Sequence, residues 1–416
     1  MKKQYFLILS ILFVLLGFFS SACQTAPEKN LKEEAFLIHQ KVLTVDTHCD
    51  TPMMMLREDW NIGERHQPGE RRSGQIDLPR MKEGGLDASF FAVYVNQGPL
   101  TTEGYKQAKE KADRMLAAIE KMFQENSDIV ELATSPADAV RLEKEGKVAV
   151  FLGMENGYPL GKDLSLVEKY YQRGIRYITL CHSRDNDICD SSTDEENPED
   201  RGLSEFGKQV VSECNRLGIM VDVSHASDKT FYDVLQTSRA PVITSHSSVR
   251  AICDHPRNLS DGMIKALADN GGVIQICFVS SFLKKSPPNP EREKALQGLR
   301  EKYGPRNKII DEKTREKMWQ DYQEIMAKYP LDRATVSDLM DHIDYVVKLV
   351  GVDYVGIGTD FDGGGGVEGC NDVTELPQVT IELYRRGYSE EEIAKIWGGN
   401  IMRVFRKVIQ IAEETV

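Results

Sequence analysis

An apolar run that ends in a histidine and a carboxylate, "LTVDTHCD" at residues 43–50, is the first place where this chain could do chemistry. Residues two apart on a strand share a face, so His48 and Asp50 are expected to project together. A neutral imidazole beside a carboxylate is a chelating pair for a borderline metal such as Zn2+. One such pair carries little weight, but here the pattern recurs. Glu155 closes "KVAVFLGME", His182 closes "YITLCH", His225 closes "IMVDVSH", His246 lies in "PVITSHSS" and Asp360 in "DYVGIGTDF". The chain has eight histidines, and four of them fall at the ends of apolar runs, where packing has no need of an imidazole. Together with the acids Asp50, Glu155 and Asp360 they point to a metal centre. Asp362 is a rival to Asp360, because strand parity places both on one face. Of the other histidines, His39 and His342 lie on helical stretches as surface or packing residues. His66 sits in an Arg-rich loop, and His255 has a loop role within "CDHPRNLSD".

These side chains need elements that bring them to one place. Eight short, β-branched runs begin at residues 43, 88, 147, 177, 219, 241, 272 and 353. Strands of a parallel sheet covered on both faces read as such near-continuous apolar runs. Helical stretches lie between them: 105–123, then 204–218 with a Ser start and a Gly stop, then 337–351 with the same punctuation. Eight strands alternating with helices favour a single (β/α)8 TIM-type barrel over residues 31–416. An open doubly wound sheet is the alternative, but it wants a Gly-rich phosphate turn after its first strand, and "DTHCDTP" is not one. In such barrels the site lies at the carboxyl ends of the strands, where the histidines and acids fall. Residues 284–333 interrupt the alternation as a charged insertion between the seventh and eighth runs. Its Pro-rich opening is expected to be a loop and "DEKTREKMWQDYQEIMAKY" a helix. A solvated excursion, a lid over the site and a self-association surface are its three readings. Ser389 and Glu392 make a capping box for a last helix, with an interruption at Gly398 and Gly399.

The start of the chain reads as a targeting segment. Lys2 and Lys3 precede the apolar Tyr5–Phe19, and the small residues Ser20, Ser21 and Ala22 sit directly before Cys23. The run is short for a membrane span, which needs about 20 residues. A cysteine after small residues resembles a bacterial lipoprotein box, with residues 1–22 as signal, Cys23 as the lipidation site and 24–30 as a tether. An ordinary cleaved signal is the alternative. On the lipoprotein reading the protein is exported and lipid-anchored to the bacterial cell envelope, facing the periplasm or the exterior. The net charge of −13 and the absence of a basic cluster exclude nucleic acid as a partner. Eight cysteines without a CxxC pair make no zinc knuckle.

Taken together, "VDTHCD", "GMENG", "VDVSH", "SHSSVRAICDHPRNLSD", "VGIGTDFDG" and the tail "GGNIMRVF" resemble the membrane (renal) dipeptidases, which are zinc peptidases. The resemblance runs over nearly the whole mature chain. It implies an amidohydrolase-like barrel with a binuclear zinc centre. His48 and Asp50 would hold one zinc, His225 and His246 the other, and Glu155 would bridge the pair. His182 would contact the scissile carbonyl and Arg257 would pair with the substrate's carboxylate. Asp360 would meet its free amine and shuttle protons. A hydroxide bridging the metals would attack L-L and L-D dipeptides. Homodimerisation is a further implication. For Arg257 a structural salt bridge or helix cap is the competing role. Two departures stand near where substrate side chains would rest. Met53 replaces the Trp of mammalian members, and the insertion at 284–333 is long. The same metal centre could serve another small amide or an N-acyl amino acid, and a peptide-binding envelope lipoprotein without turnover is the non-enzymatic reading.

Overall fold

The computed structural model describes residues 29–70, 72–197, 199–304 and 311–414. The signal segment, Cys23 and residues 24–28 lie outside the described residues. Lys29 and Asn30, expected in the tether, instead begin a helix that runs over 29–39.

All nine described strands run parallel: β1 (Val45–Cys49), β2 (Ala88–Tyr94), β3 (Val130–Leu132), β4 (Val148–Glu155), β5 (Ile175–Thr179), β6 (Met220–Asp222), β7 (Ile243–Ser247), β8 (Val273–Cys277) and β9 (Val355–Gly358). Eight of them pair in the order β1-β2-β4-β5-β6-β7-β8-β9. The last strand then meets the first. Asp360 N–H donates to His48 O at 3.0 Å and Asp50 N–H to Phe361 O at 2.8 Å. This is the expected (β/α)8 barrel. The remaining strand, β3, has no counterpart among the eight runs. It pairs Val130–Leu132 with Val148–Val150, along the part of β4 that lies below its pairing with β5. Three residues with an acid in the middle leave too little pattern to read.

Apolar side chains fill the space on both sides of the barrel wall. Phe90, Phe151, Tyr177, Met220, Ile243 and Val273 form a cluster with Met402, Phe405 and Val408 of the final helix. A larger cluster packs the outer strand faces against the helices. One position in β4 shows how tightly the inner cluster is built. A Cβ on Gly153 would fall 2.0 Å from the Tyr177 ring, so only glycine lets that ring pass beneath Glu155.

The expected helices form at Thr102–Glu125, Glu205–Leu217 and Val336–Val350. Ser204 and the left-handed Gly218 cap the second as read from sequence. The third starts earlier than expected, at a capping box of Thr335 and Asp338. The Ser389–Glu392 box is present, and at Gly398–Gly399 the chain does not break but passes through a π-helical turn, Lys395–Gly399. The insertion carries the expected helix, Glu312–Lys328, and another that was not foreseen, Pro290–Tyr303. Pro290 stands in the first turn of that helix, where its missing N–H costs nothing.

Candidate metal centre

Every histidine and acid singled out at a run end reaches one pocket at the carboxyl end of the barrel. His48, Glu155 and His246 lie within β1, β4 and β7. Asp50, His182, His225 and Asp360 lie one to three residues beyond their strands, on the loops. Two of these loop residues, His225 (φ 71°) and Asp360 (φ 56°), adopt the left-handed region, as does Asn156 (φ 75°) directly after Glu155. Non-glycine residues take that conformation at a cost and persist in it where the surroundings over-determine it, as functional sites do. Asn156 is locked by Nδ2 bonds to Val95 O and Gln97 Oε1, while its Oδ1 accepts from Tyr158 N–H and Asn186 Nδ2.

Glu155 is the centre of the arrangement. Its Oε2 lies 3.5 Å from His48 Nε2. Its Oε1 lies 3.1 Å from His225 Nε2, 3.5 Å from His246 Nε2 and 3.7 Å from His182 Nε2. His225 Nε2 and His246 Nε2 stand 2.9 Å apart, and His48 Nε2 is 3.6 Å from Asp50 Oδ2. Three donor groups follow, each with atoms within 4.8 Å of one another: His48–Glu155–His246, Glu155–His182–His225 and His48–Asp50–Asp360. His48 Nε2 and Asp50 Oδ1 are buried without a hydrogen-bond partner. Buried polar atoms are otherwise almost always satisfied, so these two fit a bound cation.

The electrostatics of His225 and His246 also suit ligation. Burial, then the positive charge of Arg257, holds His225 well below its usual range; burial, then His48, does the same for His246. Both rings therefore present lone pairs at neutral pH, the form that binds metal. Burial and Arg257 bring His182 down to about 4. Burial and the like charge of Asp50 push Asp360 well above the usual carboxylate range.

The residues behind this layer were not foreseen. Tyr177 Oη meets His48 Nδ1 at 2.8 Å from across the barrel. Ser245 Oγ donates to Asp222 Oδ2 at 2.6 Å, so it accepts from His246 Nδ1–H at 2.8 Å, which leaves His246 Nε2 as the lone-pair atom. Asp222 also accepts from Thr179 Oγ1, Ser224 N–H and Ser245 N–H, tying β5, β6 and β7 together. Asp46 does the same at the barrel seam, accepting from Thr359 N–H and Oγ1 and from His48 N–H. A signal for both carboxylates was in view: each precedes a site histidine, in "VDTH" and "VDVSH". Cys277, whose Sγ lies 3.8 Å from Asp360 Oδ2, carried none.

Asp360 and Asp362 do not share a face. Both lie beyond β9 with left-handed backbone, so strand parity does not apply to them. Asp360 joins His48 and Asp50, whereas Asp362 accepts from Thr51 Oγ1 and Gln75 N–H and braces the loops. Arg257 is 5 % exposed, and among the described residues no carboxylate lies within 4 Å of it. Its Nη2 donates to His246 O at 3.1 Å and its guanidinium stands 5.4 Å from the Phe282 ring centre. The salt-bridge role weighed for it is absent. His39 and His342 are packing residues, both buried. His39 bridges Thr380 Oγ1 and Gly84 O, and His342 bridges Val249 N–H and Leu283 O. His255 Nδ1 accepts from Arg257 N–H, and His66 stacks on Trp60. The seven described cysteines are buried free thiols.

Residues 32–416 match the sequence profile of the membrane dipeptidases, peptidase family M19. Dipeptidase tcpJ of Claviceps purpurea is 32 % identical over 375 residues, 88 % of this chain and 77 % of that one. The crystal structure of the probable dipeptidase PvdM from Pseudomonas aeruginosa superposes with a TM-score of 0.76 at 33 % identity, over 92 % of this chain and 99 % of that one. A metallo peptidase from Rhodobacter sphaeroides, liganded with a phosphinate mimic of the dipeptide L-Ala-D-Ala, has a TM-score of 0.69 at 25 % identity, covering 88 % and 99 % of the two chains.

Proposed function

The chain belongs to the membrane dipeptidase family, and from that premise we propose that it is a binuclear zinc dipeptidase acting on L-L and L-D dipeptides. The observation that carries this reading is the position of Glu155, each of whose oxygens faces a different set of donors. His48 and Asp50 would hold one ion, His225 and His246 the other, and Glu155 would span both. A bound pair of this kind supplies Lewis-acid charge and an activated water at neutral pH.

The chain's own groups do the rest. His182, neutral and 22 % exposed at its side chain, points an N–H at the carbonyl oxygen as charge develops there. Arg257 takes the substrate's carboxylate, an anion its buried guanidinium lacks in salt-bridge contact among the described residues. Asp360 meets the free amine and passes a proton to the leaving nitrogen. A site that reads both ends of its substrate measures length, which selects dipeptides. The D-configured second residue is supported by the ligand of the Rhodobacter sphaeroides relative. From the separate lipoprotein reading of Cys23 we also propose that the enzyme is exported and lipid-anchored to the bacterial cell envelope, facing the periplasm or the exterior.

The test is metal analysis alongside hydrolysis of L-Ala-L-Ala and L-Ala-D-Ala. Two equivalents of zinc per chain and chelator-sensitive release of alanine are expected, with His225→Ala losing zinc. Hydrolysis of neither peptide by the zinc-loaded protein would sink the proposal. A smaller effect is expected behind the donors. Ser245→Ala removes the acceptor that orients His246 and should weaken zinc by about 10- to 100-fold in chelator competition.

A further inference from the structure

Strand β8 ends at the metal centre in a thiol. Val273 joins the inner cluster while Ile274 and Ile276 face the helices, so alternation turns Cys277 into the mouth of the barrel. The side chain is fully buried, and its thiol donates to Asp360 Oδ2 with the sulfur 3.8 Å away. Among the described residues this is the one hydrogen bond that the Asp360 carboxylate makes, and Oδ1 is left without a partner. Burial, then the charge of Asp360, holds the thiol well above its usual range, so it keeps the proton that it donates.

The two partners are held differently. Cys277 belongs to a strand, in register with Gly358 of β9. Asp360 lies two residues beyond that strand on left-handed backbone. Its main chain is fixed, because its N–H donates to His48 O and its carbonyl accepts from the N–H groups of Gly363, Gly364 and Gly365. What stays free is rotation of the carboxylate, a torsion with a broad energy well.

A pull acts on that rotation. Arg257 is buried, and among the described residues no carboxylate lies in salt-bridge range of it. The opposite charges of Arg257 and Asp360 act on each other, and the Cys277 thiol feels both. A buried cation and a buried anion in one pocket attract strongly. Closing on each other, they would take up the two groups assigned to the two ends of the substrate.

We propose that Cys277 is a positioning residue: its thiol holds Oδ2 of Asp360, keeps the carboxylate from turning to Arg257 and leaves Oδ1 for the substrate. The inference rests on the dipeptidase reading above. In that reading the attacking water gives Asp360 a proton, and the leaving nitrogen takes it as the C–N bond breaks. A proton passed this way needs its carrier at hydrogen-bond distance and in line. A carboxylate that swings still attracts an amine, so loss of the thiol falls on kcat more than on KM.

Cys277→Val and Cys277→Ser test it on the zinc-loaded full chain. Valine keeps the bulk and removes the donor, whereas serine keeps a donor in a smaller side chain. With alanyl-alanine, Cys277→Ser should stay within about threefold of the parent in kcat, and Cys277→Val should lose about tenfold or more, both with two zinc equivalents. A sulfur that only packs would give the reverse order. The second measurement is the ester alanyl-lactate, whose alcohol oxygen needs the proton far less than an amide nitrogen does. In Cys277→Val the kcat/KM ratio of amide to ester should fall about tenfold from that of the parent. A loss of folded protein lowers both substrates alike and leaves that ratio where it was. Full activity in Cys277→Val, a serine variant that loses as much as the valine variant or more, or an unchanged amide-to-ester ratio overturns this inference alone. No hydrolysis of alanyl-alanine by the parent overturns the dipeptidase reading with it.

Discussion

Glu155→Ala is expected to lower kcat/KM by about 10^4-fold or more and to leave the protein with less than one tightly held metal equivalent. Glu155 ends β4 with its carboxylate buried, and among the described residues every polar partner of that carboxylate is a site histidine. Removing it leaves four imidazoles facing one another with no carboxylate between them, Asp50 lying to one side against His48. Two cations held close together need that charge, because Asp50 serves only the His48 side. The backbone of β4 keeps its pairing with β2 and β5, so the loss falls on the site and not on the barrel. Glu155→Gln sharpens the point. It keeps the volume and one oxygen but sets an NH2 donor where a ligand atom stood, and is expected to retain at most one equivalent and about one-hundredth of the activity. Elemental analysis and initial rates on the same samples check both. Two full equivalents in Glu155→Ala, with activity within tenfold of the parent, would show that the carboxylate does not bridge.

How much of this was open to sequence reasoning divides along a physical line. His48, Glu155 and His246 lie inside strands, where alternation fixes direction, so run ends located them. Asp50, His182, His225 and Asp360 lie on the first loop residues, where direction depends on backbone conformation that no periodicity reports. Their residue types placed them, and strand parity then misled for Asp362. Tyr177 was hidden for a different reason. Its part depends on Gly153 one strand away, a tertiary exchange of a missing side chain for a present one. The buried acids Asp46 and Asp222 read as parts of apolar strands, although Asp46 gathers hydrogen bonds from two chain segments and Asp222 from three, and both hold the wall on which the ligands stand. Helix starts and stops, which are local side-chain chemistry, were legible almost to the residue at Ser204, Gly218 and Ser389.

The same reasoning from unpaired groups makes Arg257 the second decisive residue. A buried guanidinium whose contacts among the described residues are a carbonyl and an aromatic ring, with no carboxylate in salt-bridge range, is costly, and truncating one partner of a buried charge pair removes about 2–5 kcal/mol of binding. Arg257→Ala should therefore lower kcat/KM for a dipeptide by about 10^2- to 10^3-fold, chiefly through KM, since the carboxylate is bound alike in ground and transition states. Arg257→Lys keeps the charge without the fork and should recover part of the loss. A merely structural arginine would depress all substrates together, so the comparison that decides is between a dipeptide and its C-terminal amide. The parent enzyme should prefer the free acid strongly, while Arg257→Ala should treat acid and amide within a few-fold of each other. Stability should move the other way. Arg257→Met replaces an uncompensated buried cation with an apolar chain of similar length, and its thermal midpoint, measured without substrate, is expected to equal or exceed that of the parent. An unchanged preference for the acid in Arg257→Ala, or a Met variant that melts well below the parent, would return the residue to a scaffold role and leave the substrate's carboxylate in need of another partner.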